Sequence, residues 1–212
     1  MGSDDLFKKR KAARKVADYR RKTGKKGEDR DLILIVCEGT KSEPNYFHGF
    51  KLTNLTIEGC GGDPLTVVDK AISIQTSEKA KGKIFDQVWC VFDRDSFPAY
   101  RFNGALQKAE ARDFKVAYSN EAFELWYVLH FEYLNTGISR SDYGDKISHH
   151  IQEDYQKNDP FIFQKLQQFG DQNLAIRYAA RLVNSYNPPD PYNDNPSTTV
   201  YKLVEILNRW YK

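Results

Sequence analysis

Of its 212 residues only three are cysteine (Cys37, Cys60, Cys90), an odd number with no C-x-x-C among them. That excludes a disulfide scaffold and a standard zinc knuckle, and it fits a reducing, cytoplasmic setting. Uninterrupted apolar runs long enough to cross a bilayer are missing, so no membrane partner is expected. The first residues are charged and lack an apolar h-region, so no secretory signal is expected either. Repeats are absent, and so is the G-x-x-x-x-G-K spacing of a phosphate-binding loop, although Thr40-Lys41-Ser42 superficially echoes its end. Core-forming residues are plentiful. Apolar side chains make up 40% of the chain and aromatics 14%, enough to bury a substantial interior and to exclude disorder throughout.

Charge is unevenly spread. Residues 1–30 hold twelve Lys or Arg against five Asp or Glu, whereas the remainder holds 20 basic and 24 acidic residues. In the run FKKRKAARKVADYRRKTGKK, the side chains of Lys8, Lys9, Arg10, Lys11, Arg14, Lys15, Arg20, Arg21 and Lys22 form a basic arm with too few apolar groups to fold on a core. Such an arm neutralises phosphates and confers salt-dependent, sequence-independent affinity for nucleic acid. A solubilising leader is the competing reading. The expected organisation is a basic arm (1–30), an α/β core (31–134) and a helical extension packed on it (135–212).

From Asp31 the pattern alternates. LILIVC (32–37), LTIEGC (55–60), QVWCVFD (87–93) and FKVAYSN (114–120) read as strands. The first and third are apolar throughout, as expected of strands covered on both faces. Between and after them, 43–51, 64–81, 99–112 and 122–134 read as helices, the second with Pro64 at its start and Leu65, Val68, Ala71 and Ile72 on one stripe. This is an α/β chain with a parallel sheet of about four strands flanked by helices. Beyond Leu134, helices are expected at 142–156, 161–168, 171–186 and 197–211. The proline-rich NPPDPYNDNP (187–196) must be a loop, and Ser197 or Thr198 can cap the last helix.

Chemistry in such sheets gathers at the carboxyl ends of the strands. Strand one runs into Glu38-Gly39 and strand three into Asp93-Arg94-Asp95. Period-two alternation points Asp93 and Asp95 the same way and Arg94 away from them, toward an ion pair of its own. Grouped carboxylates need a compensating cation. Mg²⁺ (or Mn²⁺), a hard ion held by one or two carboxylates plus substrate phosphates, suits Glu38, Asp93 and Asp95. Gly39 allows a sharp turn and a close approach by phosphate.

Other positions carry two readings each. Glu43 and Glu124 are either helix-dipole partners or part of a second metal position. Lys41 is either a phosphate ligand or a solvated surface residue, and Asn120 either a helix cap or a phosphate contact. His130, on a helical face with Phe123, Trp126 and Tyr127, is either a hydrogen-bonded core residue or an acid/base. Trp126 belongs to the core, His149-His150 to the surface, and Cys37 and Cys90 read as small buried hydrophobes.

Glu-Gly closing one strand and Asp-x-Asp closing a later one resemble the Toprim domain of topoisomerases, primases and OLD-type nucleases. The longer strings ILIVCEGTKSEPNYF, VWCVFDRDSFP, SNEAFELWYVLHF and NPSTTVYKLVEIL resemble the RloB family of bacterial proteins over about residues 31–212. The resemblance implies a Toprim-like (Rossmann-like) fold, divalent-metal phosphodiester chemistry with Glu38, Asp93 and Asp95 as the acidic positions, and a restriction-modification or phage-defence role. A partner ATPase or other defence subunit is then expected, with DNA or RNA, tRNA included, as the polyanion. One departure is Glu121-Ala122, where the family pattern places Pro-Cys after Ser-Asn.

Two rival functions follow from the same residues. In a haloacid-dehalogenase-type phosphatase Asp93 would be the nucleophile, but a Glu-Gly strand precedes it here and no G-D-x-x-x-D follows. The other is a non-catalytic nucleic-acid-binding or regulatory subunit with a vestigial metal site. Topoisomerase and primase activities need domains for which the chain has no room. Deleting residues 1–30 is expected to weaken nucleic-acid binding at low salt and to flatten the slope of log K against log [salt] by several units, measured by fluorescence anisotropy.

Overall fold

The computed structural model describes residues 30–211; residues 1–29 of the basic arm, including Lys8, Lys9, Arg10, Lys11, Arg14, Lys15, Arg20, Arg21 and Lys22, lie outside the described residues. From Asp31 onward the chain forms one compact unit. Its elements are β1 (Ile33–Cys37), α1 (Ser42–His48), β2 (Leu55–Gly59), α2 (Pro64–Ala80), β3 (Gln87–Asp93), α3 (Ala99–Glu110), β4 (Lys115–Asn120) and α4 (Glu124–Val128). Then come α5 (Arg140–Ile151), α6 (Ile162–Phe169), α7 (Gln172–Ser185), β5 (Ser197–Thr198) and α8 (Val200–Asn208).

The sheet order is β2-β1-β3-β4-β5, with the first four strands parallel and β5 antiparallel to β4. β1 is therefore an interior strand, flanked by the strand that follows it and by the one after that. The apolar runs of β1 and β3 have the expected cause, since both faces are covered. Ile33, Ile35, Cys37, Trp89, Val91 and Ala117 pack on one side against α1 and α4 through α8. Leu34, Val36, Val88, Cys90, Phe92 and Tyr118 pack on the other against α2 and α3. All five residues of β1 are completely buried. At roughly 1.5–3 kcal/mol for each large apolar side chain, this strand anchors both layers.

The larger layer draws on the chain from Ile33 to Leu207, so residues after 134 continue the same core. Its centre is Tyr46, whose ring meets Phe47, Phe50, Phe123, Trp126, Tyr127, His130 and Phe163 within 6.5 Å. Local signals explain several element ends. Asp63 caps α2 by accepting from Thr66 N at 2.8 Å, with Pro64 in the first turn. Ser139 and Asp142 form a reciprocal capping box on α5.

Three expectations change. The helix expected over 122–134 is only Glu124–Val128, and the chain then leaves in turns. The sheet has a fifth strand where only a cap was expected. Thr198 pairs with Ser119 and Ser197 with Asn120, while Ser119 Oγ and Thr198 Oγ1 lie 3.0 Å apart. Thr199 Oγ1 accepts from Tyr118 N at 2.9 Å, and Thr199 N donates to Tyr118 O at 2.9 Å. A two-residue polar strand carries no alternating pattern to read. The expected cap by Ser197 or Thr198 is not formed: the N-cap of α8 is Thr199, without a side-chain cap bond, and Val200 N donates to Thr198 Oγ1 at 3.3 Å from one residue further out.

At the carboxyl end of the sheet, β2 packs tightly on the loop after β1. A Cβ at Gly59 would lie 2.6 Å from Gly39 O and 2.7 Å from Thr40 Cα. Both are backbone atoms that cannot swing away. Gly59→Ala is expected to lower stability by about 1–3 kcal/mol in denaturant unfolding. Gly104→Ala, whose nearest new neighbour is a Leu65 methyl at 3.7 Å inside helix α3, should leave stability unchanged or raise it slightly.

Candidate active-site cleft

The carboxyl ends of β1 and β3 lie side by side, Cys37 opposite Val91, at the point where the strand order reverses. Crossovers leave such a point in opposite directions and open a crevice there. The crevice is a cleft of about 310 Å³ whose walls include Glu38, Gly39, Glu43, Gly61, Gly62, Asp93, Asp95, Phe123, Glu124, Arg140, Lys157 and Asn158. Five carboxylates face two cations.

Glu38 follows directly from β1, its N–H donating to Val91 O at 2.8 Å, and its Oε2 accepts from Asp93 N at 3.1 Å. Asp93 closes β3, and its Oδ2 accepts from Phe123 N at 3.1 Å. Glu43 reaches back from the first turn of α1 to accept from Gly39 N at 3.2 Å. Gly39 is needed for that contact, because a Cβ there would fall 1.9 Å from Glu43 Oε2. Glu124 Oε1 accepts from Tyr155 OH at 3.2 Å. Glu38, Asp93, Glu43 and Glu124 are thus each positioned by a hydrogen-bond donor.

Burial dominates the electrostatics. Desolvation, opposed by the Asp93 N–H bond and reinforced by Glu43 and Asp95, pushes Glu38 up to about 7. Asp93 is pushed well above the carboxylate range by desolvation and then by Glu43, Glu38 and Glu124, with Arg140 acting the other way. Desolvation also raises Glu43, which Glu124 reinforces and the Gly39 bond and Lys157 oppose. Burial and like charge both disfavour simultaneous ionisation.

Asp95 joins the cleft by a route that strand alternation does not describe. β3 ends at Asp93, and Asp95 has a left-handed backbone (φ +40°). The turn brings its carboxylate to Arg140 Nη2 at 3.2 Å, and the same nitrogen lies 3.7 Å from Asp93 Oδ2. Arg140 bridges the two aspartates. Among the described residues Arg94 makes no carboxylate pair: it donates to Tyr192 O (3.2 Å) and Asp95 O (2.8 Å) and stacks on the Tyr192 ring at 4.3 Å.

Of the residues with two readings, three lie outside the cleft, and for His130 the core reading holds. His130 is buried in the aromatic core, its Nδ1 2.9 Å from Trp126 O, and desolvation lowers it to about 4. Asn120 is buried and donates to the carbonyls of Pro191 (3.3 Å) and Tyr192 (3.1 Å), fastening the proline-rich loop instead of capping a helix. Lys41 is exposed beside the cleft without lining it.

Lys157 and Asn158 line the cleft where Lys41 does not. Their loop is latched to α1 by Ser42 Oγ donating to Asn158 Oδ1 (2.9 Å) and Asn45 Nδ2 donating to Asn158 O (2.9 Å). Neither residue carried a signal in the sequence. Arg140 did, as a basic residue in the first turn of a capped helix, where the dipole disfavours it.

A family described as RloB-like protein matches residues 33–207. The chain belongs to the RloB-like family. No curated protein and no solved structure matches it. Among the described residues, no three His, Cys, Asp or Glu side chains are arranged to hold one metal ion as they stand. The donor chemistry nevertheless fits a hard cation. All the acids offer oxygen, and Asp93 Oδ1 is buried without a hydrogen-bond partner. The cleft of this RloB-like protein thus gathers carboxylate oxygens, two of them facing the Arg140 guanidinium.

The raised Glu38 has a consequence for stability. Folded, its carboxyl keeps a proton up to about pH 7, whereas the unfolded group loses it near its ordinary value of 4.5. Its stabilising contribution is full below pH 4.5 and is lost as pH rises through 7. Glu38→Gln is expected to stabilise the metal-free protein at pH 8 by on the order of 2 kcal/mol and far less at pH 5, read from denaturant midpoints.

Proposed function

We propose that this RloB-like protein is a Mg²⁺- or Mn²⁺-dependent nuclease of Toprim type that hydrolyses phosphodiesters of DNA or RNA in bacterial defence. The observation that carries this reading is the convergence of Glu38, Asp93 and Asp95, from two separate strand ends, on one cleft at the switch point of the sheet. Neighbouring buried carboxylates that oppose one another's ionisation are a poor structural choice and a good cation trap. Glu38, Asp93 and Asp95 would hold the ion, and Glu43 and Glu124, which line the same cleft, would support a second. When bound, such an ion neutralises the acids, polarises the phosphodiester and acidifies a water molecule.

The chain's own residues do the rest. Glu38 is fixed by Asp93 N–H and Asp93 by Phe123 N–H, so neither reorganises as charge moves. Lys157, on the facing wall, attracts phosphate. Gly61 and Gly62 leave the mouth beside Glu38 free of side chains, and a polynucleotide backbone can approach closely there. The arm of residues 1–30 adds non-specific affinity for the polyanion.

A second reading is favoured by one feature, the occupation of Asp93 and Asp95 by Arg140. In it the chain is a nucleic-acid-binding or regulatory defence subunit without turnover. A panel of DNA, RNA and tRNA incubated with Mg²⁺ or Mn²⁺ separates the two. For the nuclease, cleavage is expected to disappear with EDTA and to fall at least about 100-fold in Asp93→Asn and Glu38→Gln. Salt-sensitive binding untouched by Glu38→Gln, with no cleavage of any substrate, would establish the regulatory role instead.

A further inference from the structure

The guanidinium of Arg140 is placed where a metal ion is wanted. Its Nη2 lies 3.2 Å from Asp95 Oδ2 and 3.7 Å from Asp93 Oδ2, between two carboxylates from opposite ends of a turn. Three features distinguish this from an ordinary surface pair. Arg140 is the first residue of α5, where the positive end of the helix dipole opposes a cation, so the contact with the aspartates has to outweigh that repulsion. The helix start is independently secured by the Ser139–Asp142 capping box, so α5 does not need the ion pair to begin there. Both distances are longer than those of a tight charge-assisted bond, and Arg140 remains 41% exposed while Asp93 is only 14% exposed. The arginine leans in from solvent over acids that are fixed from behind.

From this geometry we infer that Arg140 is an exchangeable cation. It neutralises Asp93 and Asp95 in the metal-free protein, yields them to a divalent ion, and then binds the phosphate of the nucleic acid. The inference rests on the metal-dependent reading of the same cleft. A monovalent guanidinium on a long, half-exposed side chain competes with a divalent ion that gathers oxygens from Asp93, Asp95 and Glu38 together. Once released, the planar fork stays anchored at the cleft wall by the capped helix, within reach of any phosphate lying across the acids. Bidentate phosphate recognition is what guanidinium geometry favours. Lys157 is the second cation of the walls, and its loop is tied to α1 rather than to the aspartates.

The exchange predicts two effects of opposite sign, which a merely structural residue would not produce. Isothermal titration of the full chain with Mn²⁺ is expected to give at least fivefold tighter binding in Arg140→Gln than in wild type. Anisotropy with a single-stranded oligonucleotide in saturating Ca²⁺, which suits oxygen ligands, is expected to give about tenfold weaker binding in the same variant. Arg140→Lys, which keeps the charge and loses the fork, should fall between the two in both assays. Circular dichroism and an unchanged Tyr-Trp fluorescence spectrum check that the variants are folded. Should Arg140→Gln misfold, Arg140→Lys alone carries the test, with the same two signs at smaller size.

Equal or weaker Mn²⁺ binding in Arg140→Gln overturns the exchange and leaves the metal site standing. Tighter metal binding with unchanged oligonucleotide affinity overturns the phosphate half of the proposal. Absence of Mn²⁺ binding in both proteins overturns the exchange and the metal-dependent function together.

Discussion

Carboxylates that lose water without gaining a counter-charge repel each other and resist ionising, and this chain collects several of them at one rim of its sheet. Everything around the cleft answers that constraint. Backbone N–H groups of Gly39, Asp93 and Phe123 aim at Glu43, Glu38 and Asp93, giving each acid a fixed donor that costs no rotamer freedom to position. Gly39 and Gly59 carry no side chain because the acids and the loop beside them leave no space for one. Arg140 supplies a positive charge from a helix that begins more than forty residues later in the chain. Such an arrangement is strained in its charges while the packing beneath it is dense, which is how functional sites differ from the frameworks that hold them.

The division of labour between the two halves of the chain follows from that density. β1 is buried on both faces, so the smaller layer is closed by α2 and α3 and the larger by α1 and α4 through α8. Helices beyond residue 134 are therefore a wall of the cleft as well as a cover for the sheet. Arg140 starts α5, and the Lys157–Asn158 loop, clasped by Ser42 and Asn45, joins α5 to α6. A chain cut after α4 would lose half of its core layer and both cations of the cleft.

What could be read from sequence divides along physical lines. β1 and β3 announced themselves through period and apolarity, and their ends located Glu38 and Asp93, because local pattern and tertiary position coincide in a central parallel strand. Asp95 was placed correctly for an incorrect reason, since a left-handed turn and not strand alternation brings it back. His130 and Asn120 were ambiguous because one helical face, or one strand end, does not tell a residue whether it meets solvent or core. Lys41 is near in sequence but exposed beside the cleft, while Lys157 and Asn158 come from a distant loop with no local mark of their destination, and Arg140 is marked only by its unfavourable place at a helix start. β5 is two polar residues long, below what any periodicity can register, and is defined wholly by its partner β4.

That last strand carries a temporal consequence. A ribosome releases β4 some eighty residues before the Ser-Thr-Thr segment that pairs with it through Tyr118, Ser119 and Asn120. Until that segment emerges, the strand beside Asp93 has a bare outer edge and the cleft lacks one of its supports. The far edge of the sheet is thus closed by a segment that only the nearly finished chain can supply.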